Sequence, residues 1–173
     1  MISSDFRDSI RVDRVDPSGT VKPLPVTFSR KSFGDAYRVA DARIDVGDDG
    51  RLALIVSARG SPGQGPWYQR VYRADADGME LTQIAELDSK RIGGMVDIAV
   101  DPRGDVFVLT TQGDTGGPDE ILRIDRNLQV SRAVHVCAGR DPQSIDVDPS
   151  AGIWFTTMFG IFRATPAAGA GRP

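Results

Sequence analysis

The chain has 173 residues, of which 40% are apolar and 26% charged, with a formal net charge of -3. Such a chain is expected to form one globular domain that buries roughly two thirds of its unfolded surface, which excludes intrinsic disorder. The acidic balance argues against a general binder of nucleic acid or anionic membrane, since either would carry a basic face. Cys137 is the single cysteine, so an intramolecular disulfide framework is excluded. The opening MISSDFRDSIRVD lacks the basic start and apolar core of a signal peptide, and no later stretch is long and apolar enough to span a bilayer. A soluble chain is therefore expected, and a cytoplasmic one if the N-terminus is natural.

Short runs rich in Val, Ile, Leu and Phe alternate with Gly, Pro and Asp punctuation, and no helical periodicity persists beyond about two turns, so the chain reads as all-β. Numbering strands of a unit from the inside outward, residues 1 to 4 read as the tail of a second strand, 10 to 15 as a third and 20 to 28 as an outermost one. A full unit follows, with strands near 42 to 46, 51 to 57, 67 to 74 and 79 to 87. The next full unit occupies 95 to 100, 105 to 111, 119 to 125 and 128 to 136. A last, partial unit has strands near 144 to 148, 152 to 157 and 160 to 165, and residues 167 to 173, AAGAGRP, read as a flexible tail.

The stretch DIAVDPRGDVFVLTTQGDTGGPDEILRID, 97 to 125, states the pattern most fully, and ARIDVGDDGRLALIVS and SIDVDPSAGIWFTT repeat it. Ile44, Ile98 and Ile145 occupy equivalent positions, which gives spacings of 54 and 47 residues, close to those of a four-stranded propeller blade. The second strands LALIVS, VFVLTT and IWFTT are apolar on both faces, as expected of a sheet sandwiched between neighbouring blades. The pattern IDVDPSAGIWFTTMFGIFRATP, with Trp154-Phe155-Thr156 after the Asp-Pro turn and Phe162-Arg163 at its close, resembles the repeats of virginiamycin B lyase-like proteins and of NHL-type propellers. That resemblance implies an all-β array of about three to three and a half antiparallel blades within residues 1 to 166, as an incomplete ring or one completed by oligomerisation. The blades would be 1 to 28, 42 to 87, 95 to 136 and 144 to 165, the first and last partial. It also raises self-association through open blade faces.

The lyase chemistry that the resemblance would imply, a metal-assisted His and Glu arrangement, does not carry over. Thr157 and Met158 stand where that family commonly places an acid, and His135 is the single histidine. The Glu-Gly-Pro opening of regucalcin-like lactonases is also missing. His135 and Cys137 share one strand face without a third ligand, so they read as an ordinary edge strand. Asp75, Asp77 and Glu80 read as a hairpin turn with Asp77-Gly78 at its tip, and Arg103-Gly104-Asp105 as the first hairpin turn of its unit. The short-turn rim carries 11 acids against Arg14, Arg51, Arg103 and Arg126, an excess ascribed to Asp capping its own turns.

Binding residues are expected on the opposite rim, where longer connections lie. The candidates there are Trp67 and Tyr68, an aromatic pair able to stack on a sugar or anchor a protein, with Tyr37, Arg59, Arg91 and Arg140 as polar partners. Against this, Trp67 also suits the start of a third strand packed between blades. The expected function is a non-catalytic binding or scaffold module for a protein or small ligand, with no metal, no cofactor, no nucleic acid and no membrane. The alternative is part of a propeller lyase or hydrolase whose catalytic residues lie elsewhere.

Overall fold

The computed structural model describes residues 2–5, 9–29, 37–60, 68–88, 92–112, 119–136, 141–150 and 152–165. All regular structure among them is strand. A first sheet contains β1 (Ile2–Asp5), β2 (Ser9–Val15) and β3 (Val21–Ser29). The second has β4 (Tyr37–Val46), β5 (Leu52–Gly60), β6 (Tyr68–Ala74) and β7 (Leu81–Asp88). The third has β8 (Ile92–Val100), β9 (Val106–Gln112), β10 (Asp119–Ile124) and β11 (Val130–Val136). The last has β12 (Pro142–Val147), β13 (Ile153–Thr157) and β14 (Gly160–Ala164). Each sheet is an antiparallel meander in chain order, so every connection within a sheet leads to the neighbouring strand.

Three apolar clusters join the four sheets in series. Val12, Val26 and Phe28 of the first sheet meet Leu54, Val56 and Tyr72 of the second, where Phe28 and Tyr72 rings lie 4.8 Å apart. The other face of the second sheet, through Ile55, Val71 and Ile84, meets Ile98, Val108 and Ile124 of the third. Phe107, Leu109 and Ile121, on the third sheet's far face, meet Ile145, Ile153 and Phe155 of the last. The chain thus forms a fan of four sheets, an incomplete propeller of about three blades, as its repeat predicts. Alternation explains why one strand serves two clusters, because successive side chains leave opposite faces. Residues 52–58 of β5 are buried throughout, whereas β13 leaves Trp154 exposed on the face that no described sheet covers.

Polar contacts also cross between sheets. Asp45 on β4 accepts the Val100 N–H of β8 at 2.7 Å, and Asp97 on β8 accepts the Ile145 N–H of β12 at 3.0 Å. The two bridges have the same offset relative to the repeat, since Asp45 aligns with Ala99 and Asp97 with Ser144, and each reaches one residue further. The buried Gln69 of β6 accepts the Met95 N–H of β8. These contacts satisfy N–H groups that sheet pairing leaves free on an inner edge.

The strands differ from sequence expectation mainly at their ends. β4 begins at Tyr37 and β8 at Ile92, earlier than expected, because pairing continues through irregularities between Val39 and Asp41, Ile92 and Gly94, and Met95 and Asp97. β11 begins at Val130 and not at 128, because Leu128 sits in the turn with φ of 63°. Gly19, Gly50, Gly78 and Gly104 hold the same left-handed place in four of the other turns. Leu128 therefore resembles a strand residue in sequence while adopting the glycine conformation.

Candidate functional site

The meander brings alternate strand ends to opposite ends of every blade. The turns 16–20, 47–51, 75–80, 101–105, 125–129 and 148–152 share one rim, and the strand ends on either side of 30–36, 61–67, 89–91, 113–118 and 137–140, with the 158–159 turn, share the other.

Of the expected binding residues, Tyr37, Arg59 and Tyr68 stand at strand ends on the second rim. Tyr37 opens β4 opposite Gly60, Arg59 closes β5 opposite Arg38, and Tyr68 opens β6 opposite both Ala58 and Asp88. The backbone therefore brings Tyr37, Arg59 and Tyr68 to one end of the second sheet. Tyr68 is half-buried, packs on the cluster shared with the first sheet, and has the Arg70 guanidinium 5.3 Å from its ring centroid. Trp67, Arg91 and Arg140 lie outside the described residues, as does Cys137. His135 is exposed on β11 opposite Glu120.

At the turn rim the aspartates act as the sequence suggests. Asp16 accepts the N–H groups of Ser18 and Thr20, Asp101 those of Arg103 and Asp105, Asp125 those of Asn127 and Gln129, and Asp148 those of Ser150 and Gly152. Asp75 does the same for Met79 and Glu80, and Gly78 N–H closes the turn on the Asp75 carbonyl. Residues 75 to 80 are thus the expected hairpin. In Arg103-Gly104-Asp105 the aspartate is buried and held by Arg123, so the tripeptide is a turn and not a displayed ligand.

Hydrogen bonds set the electrostatics here. The Ser18 hydroxyl, with the Thr20 and Ser18 N–H groups, lowers the Asp16 pKa. Asp148 is held well below the usual carboxylate range, first by the Ser150 hydroxyl, then by the Trp154 indole N–H and the Gly152 N–H, with Arg163 adding to the effect. Asp45 is raised instead, mainly by burial, with the neighbouring charges of Asp146 and Asp97 contributing against the lowering effect of the Val100 N–H. Among the described residues, no group of three or more His, Cys, Asp or Glu is placed to hold a metal.

An arginine recurs at one third-strand position, as Arg73, Arg123 and Arg163, and its reach varies. Arg123 and Arg163 bind carboxylates of their own sheets, Asp105 and Asp148. Arg73 crosses to the next sheet and donates to the Gly104 carbonyl at 2.8 Å. Beside this crossing lies a cleft of about 360 Å3 between the second and third sheets, lined by Arg51, Arg73, Arg103, Arg126 and Asp49. Sequence reading counted three of these arginines as a minority on an acidic rim. Their convergence depends on which turns the fan makes neighbours, and the apolar-Arg repeat was the available signal.

No family model and no curated protein matches the sequence. The structure is similar to TolB from Acinetobacter baumannii, with TM-score 0.59 and 17% identity over 97% of this chain and 41% of that one. It is also similar to XC5397, a gluconolactonase from Xanthomonas campestris, with TM-score 0.54 and 17% identity over 93% of this chain and 59% of that one. Against virginiamycin B lyase from Staphylococcus aureus the TM-score is 0.42 at 14% identity, over 99% of this chain and 71% of that one. The chain spans 41% and 59% of the first two. Likeness at this identity shows the propeller fold and nothing about chemistry.

Proposed function

We propose that the chain is a non-catalytic binding module, a propeller segment that presents its blade-connecting segments to a protein or small-molecule ligand. The observation supporting this is topological: the strand ends that carry Tyr37, Arg59 and Tyr68 come to one rim of a fan held by three buried clusters. Binding residues on such connections are positioned by strands that do not move with them. Tyr37, Arg59 and Tyr68 share that rim, and Trp67, Arg91 and Arg140 belong to connections that join it. An aromatic face with guanidinium neighbours suits a sugar ring or a protein anchor. The alternative is part of a propeller enzyme, a lyase or hydrolase, metal-assisted or not, whose catalytic residues lie outside this chain.

The test is an amide NMR titration with a panel of mono- and disaccharides, then with calcium and zinc ions, beside a gluconolactone hydrolysis assay. Saccharide-dependent shifts are expected at residues 37–39, 58–60 and 68–70, reduced in Tyr68→Ala, with no lactone consumed above background. Stoichiometric metal binding at that rim with lactone turnover would replace this reading by the enzymatic one, and a rim unmoved by every saccharide would count against it.

A further inference from the structure

The arginine cleft lies on the turn rim, at the opposite end of the blades from the proposed binding surface, and its reading is independent of that proposal. We propose that it binds a phosphate-type oxyanion, either inorganic phosphate or a small phosphate monoester.

Charge is the first argument. Four guanidinium groups line the cleft against one carboxylate among the described lining residues, Asp49, which is already paired with Arg51 at 3.6 Å. In a chain of net charge -3 this is a local cationic excess, and like charges gathered in a concave site attract a counter-ion. The nearby acids keep their charge but line no part of the cleft: Asp105 is paired with Arg123, and Asp101, Asp125 and Asp75 accept backbone N–H groups of their own turns. Arg103 and Arg126 have no acidic partner among the described residues.

Convergence is the second argument. Arg73 donates to the Gly104 carbonyl, and a Cβ placed on Gly104 would lie 3.9 Å from Nε of Arg126. Two guanidinium groups from different sheets therefore meet at one residue, and Arg103 is its chain neighbour. The turn beneath them is fixed by the buried Asp101, so the cluster does not depend on a loose loop. Several forked donors around one point suit phosphate, which offers oxygens in several directions and two negative charges, better than a single carboxylate. A neighbouring cleft of about 280 Å3 shares Arg51 and Arg73 but adds Asp75 and Glu80, so an anion is confined to the first. That first volume admits phosphate with a short organic group.

The test is calorimetric titration at constant ionic strength with inorganic phosphate, glycerol phosphate and acetate. Both phosphate species are expected to bind saturably at one site, with acetate at least about tenfold weaker, since a single charge matches fewer of the guanidinium groups. Arg103→Ala combined with Arg126→Ala should weaken phosphate by about tenfold or more. Arg132→Ala, on the outermost strand and paired with Glu120, should leave binding unchanged. Single Arg126→Gln gives the same reading with the smallest change to the surface. Tighter glycerol phosphate identifies an esterified ligand, and tighter inorganic phosphate a free one. No saturation by about 10 mM, equal binding of acetate, or undiminished binding by the double variant would overturn the proposal.

Discussion

Gly78 is where the packing of one sheet on its neighbour can be measured with a single methyl group. It lies in the turn between β6 and β7 at φ of 70°, and an added Cβ would stand 2.9 Å from Cγ2 of Val26, 3.3 Å from Leu24 Cβ and 3.4 Å from Pro25 Cδ, all on β3. Gly19 has φ of 83° with nothing within 4 Å of the same atom, so it isolates the backbone cost alone. For an L-residue that cost is about 1–2 kcal/mol, offset by about 0.4–1 kcal/mol from the stiffer unfolded chain. Gly19→Ala should therefore destabilise by about 1 kcal/mol. Gly78→Ala carries the same backbone cost plus overpacking against the fully buried Val26, which adds about 1–3 kcal/mol. The assay is urea unfolding of both variants at constant m value. Val26→Ala should relieve part of the clash, so that the double variant shows a coupling of at least about 0.5 kcal/mol. Equal losses at Gly78 and Gly19, within about 0.5 kcal/mol, would refute the claimed contact between the first and second sheets.

Turn capping should scale with burial. Asp101→Ala removes a buried charged acceptor from two N–H groups and should cost about 2–3 kcal/mol, whereas Asp125→Ala, at a more exposed turn with the same bonds, should cost about 1 kcal/mol by urea unfolding. Asp45 should make itself visible through pH. Its folded pKa is raised, chiefly by burial, so the folded chain binds the proton more tightly and this group lowers stability as pH rises from 3.8 through the folded value. Asp45→Asn should therefore raise the melting temperature at pH 7, with the gain fading below pH 3.8; a gain independent of pH would show that another effect is responsible. Asp148 acts in the opposite sense. Its lowered pKa contributes stability above the ordinary carboxylate range that is lost as pH falls through the folded value, so Asp148→Asn should be harmful at pH 7 and neutral in strong acid.

Much of the architecture was legible because one local pattern recurs, with alternating apolar residues for strands and Asp or Gly for turns. Strand ends were less legible. The pairing of residues 37–41 passes through an irregularity that no alternation rule anticipates, and Leu128 has an apolar side chain with a turn backbone. The site was only partly legible. That Tyr37, Arg59 and Tyr68 share a rim follows from strand direction, which the repeat fixes. The grouping of Arg51, Arg103 and Arg126 requires two sheets to stand side by side, and Arg73 to cross between them. Counting charges along the chain hid this, because position in the sequence does not show which turns of two different sheets stand side by side.

The carboxylates of Asp45 and Asp97 each grip an amide on the next sheet one step further along. Apolar contacts alone would let neighbouring sheets slide past one another like cards in a deck, since a row of Val and Ile offers nearly the same surface two residues on. A carboxylate on a single amide has no such second-best position. The buried clusters therefore hold the sheets together face to face, while these two carboxylates fix how far along one another they sit.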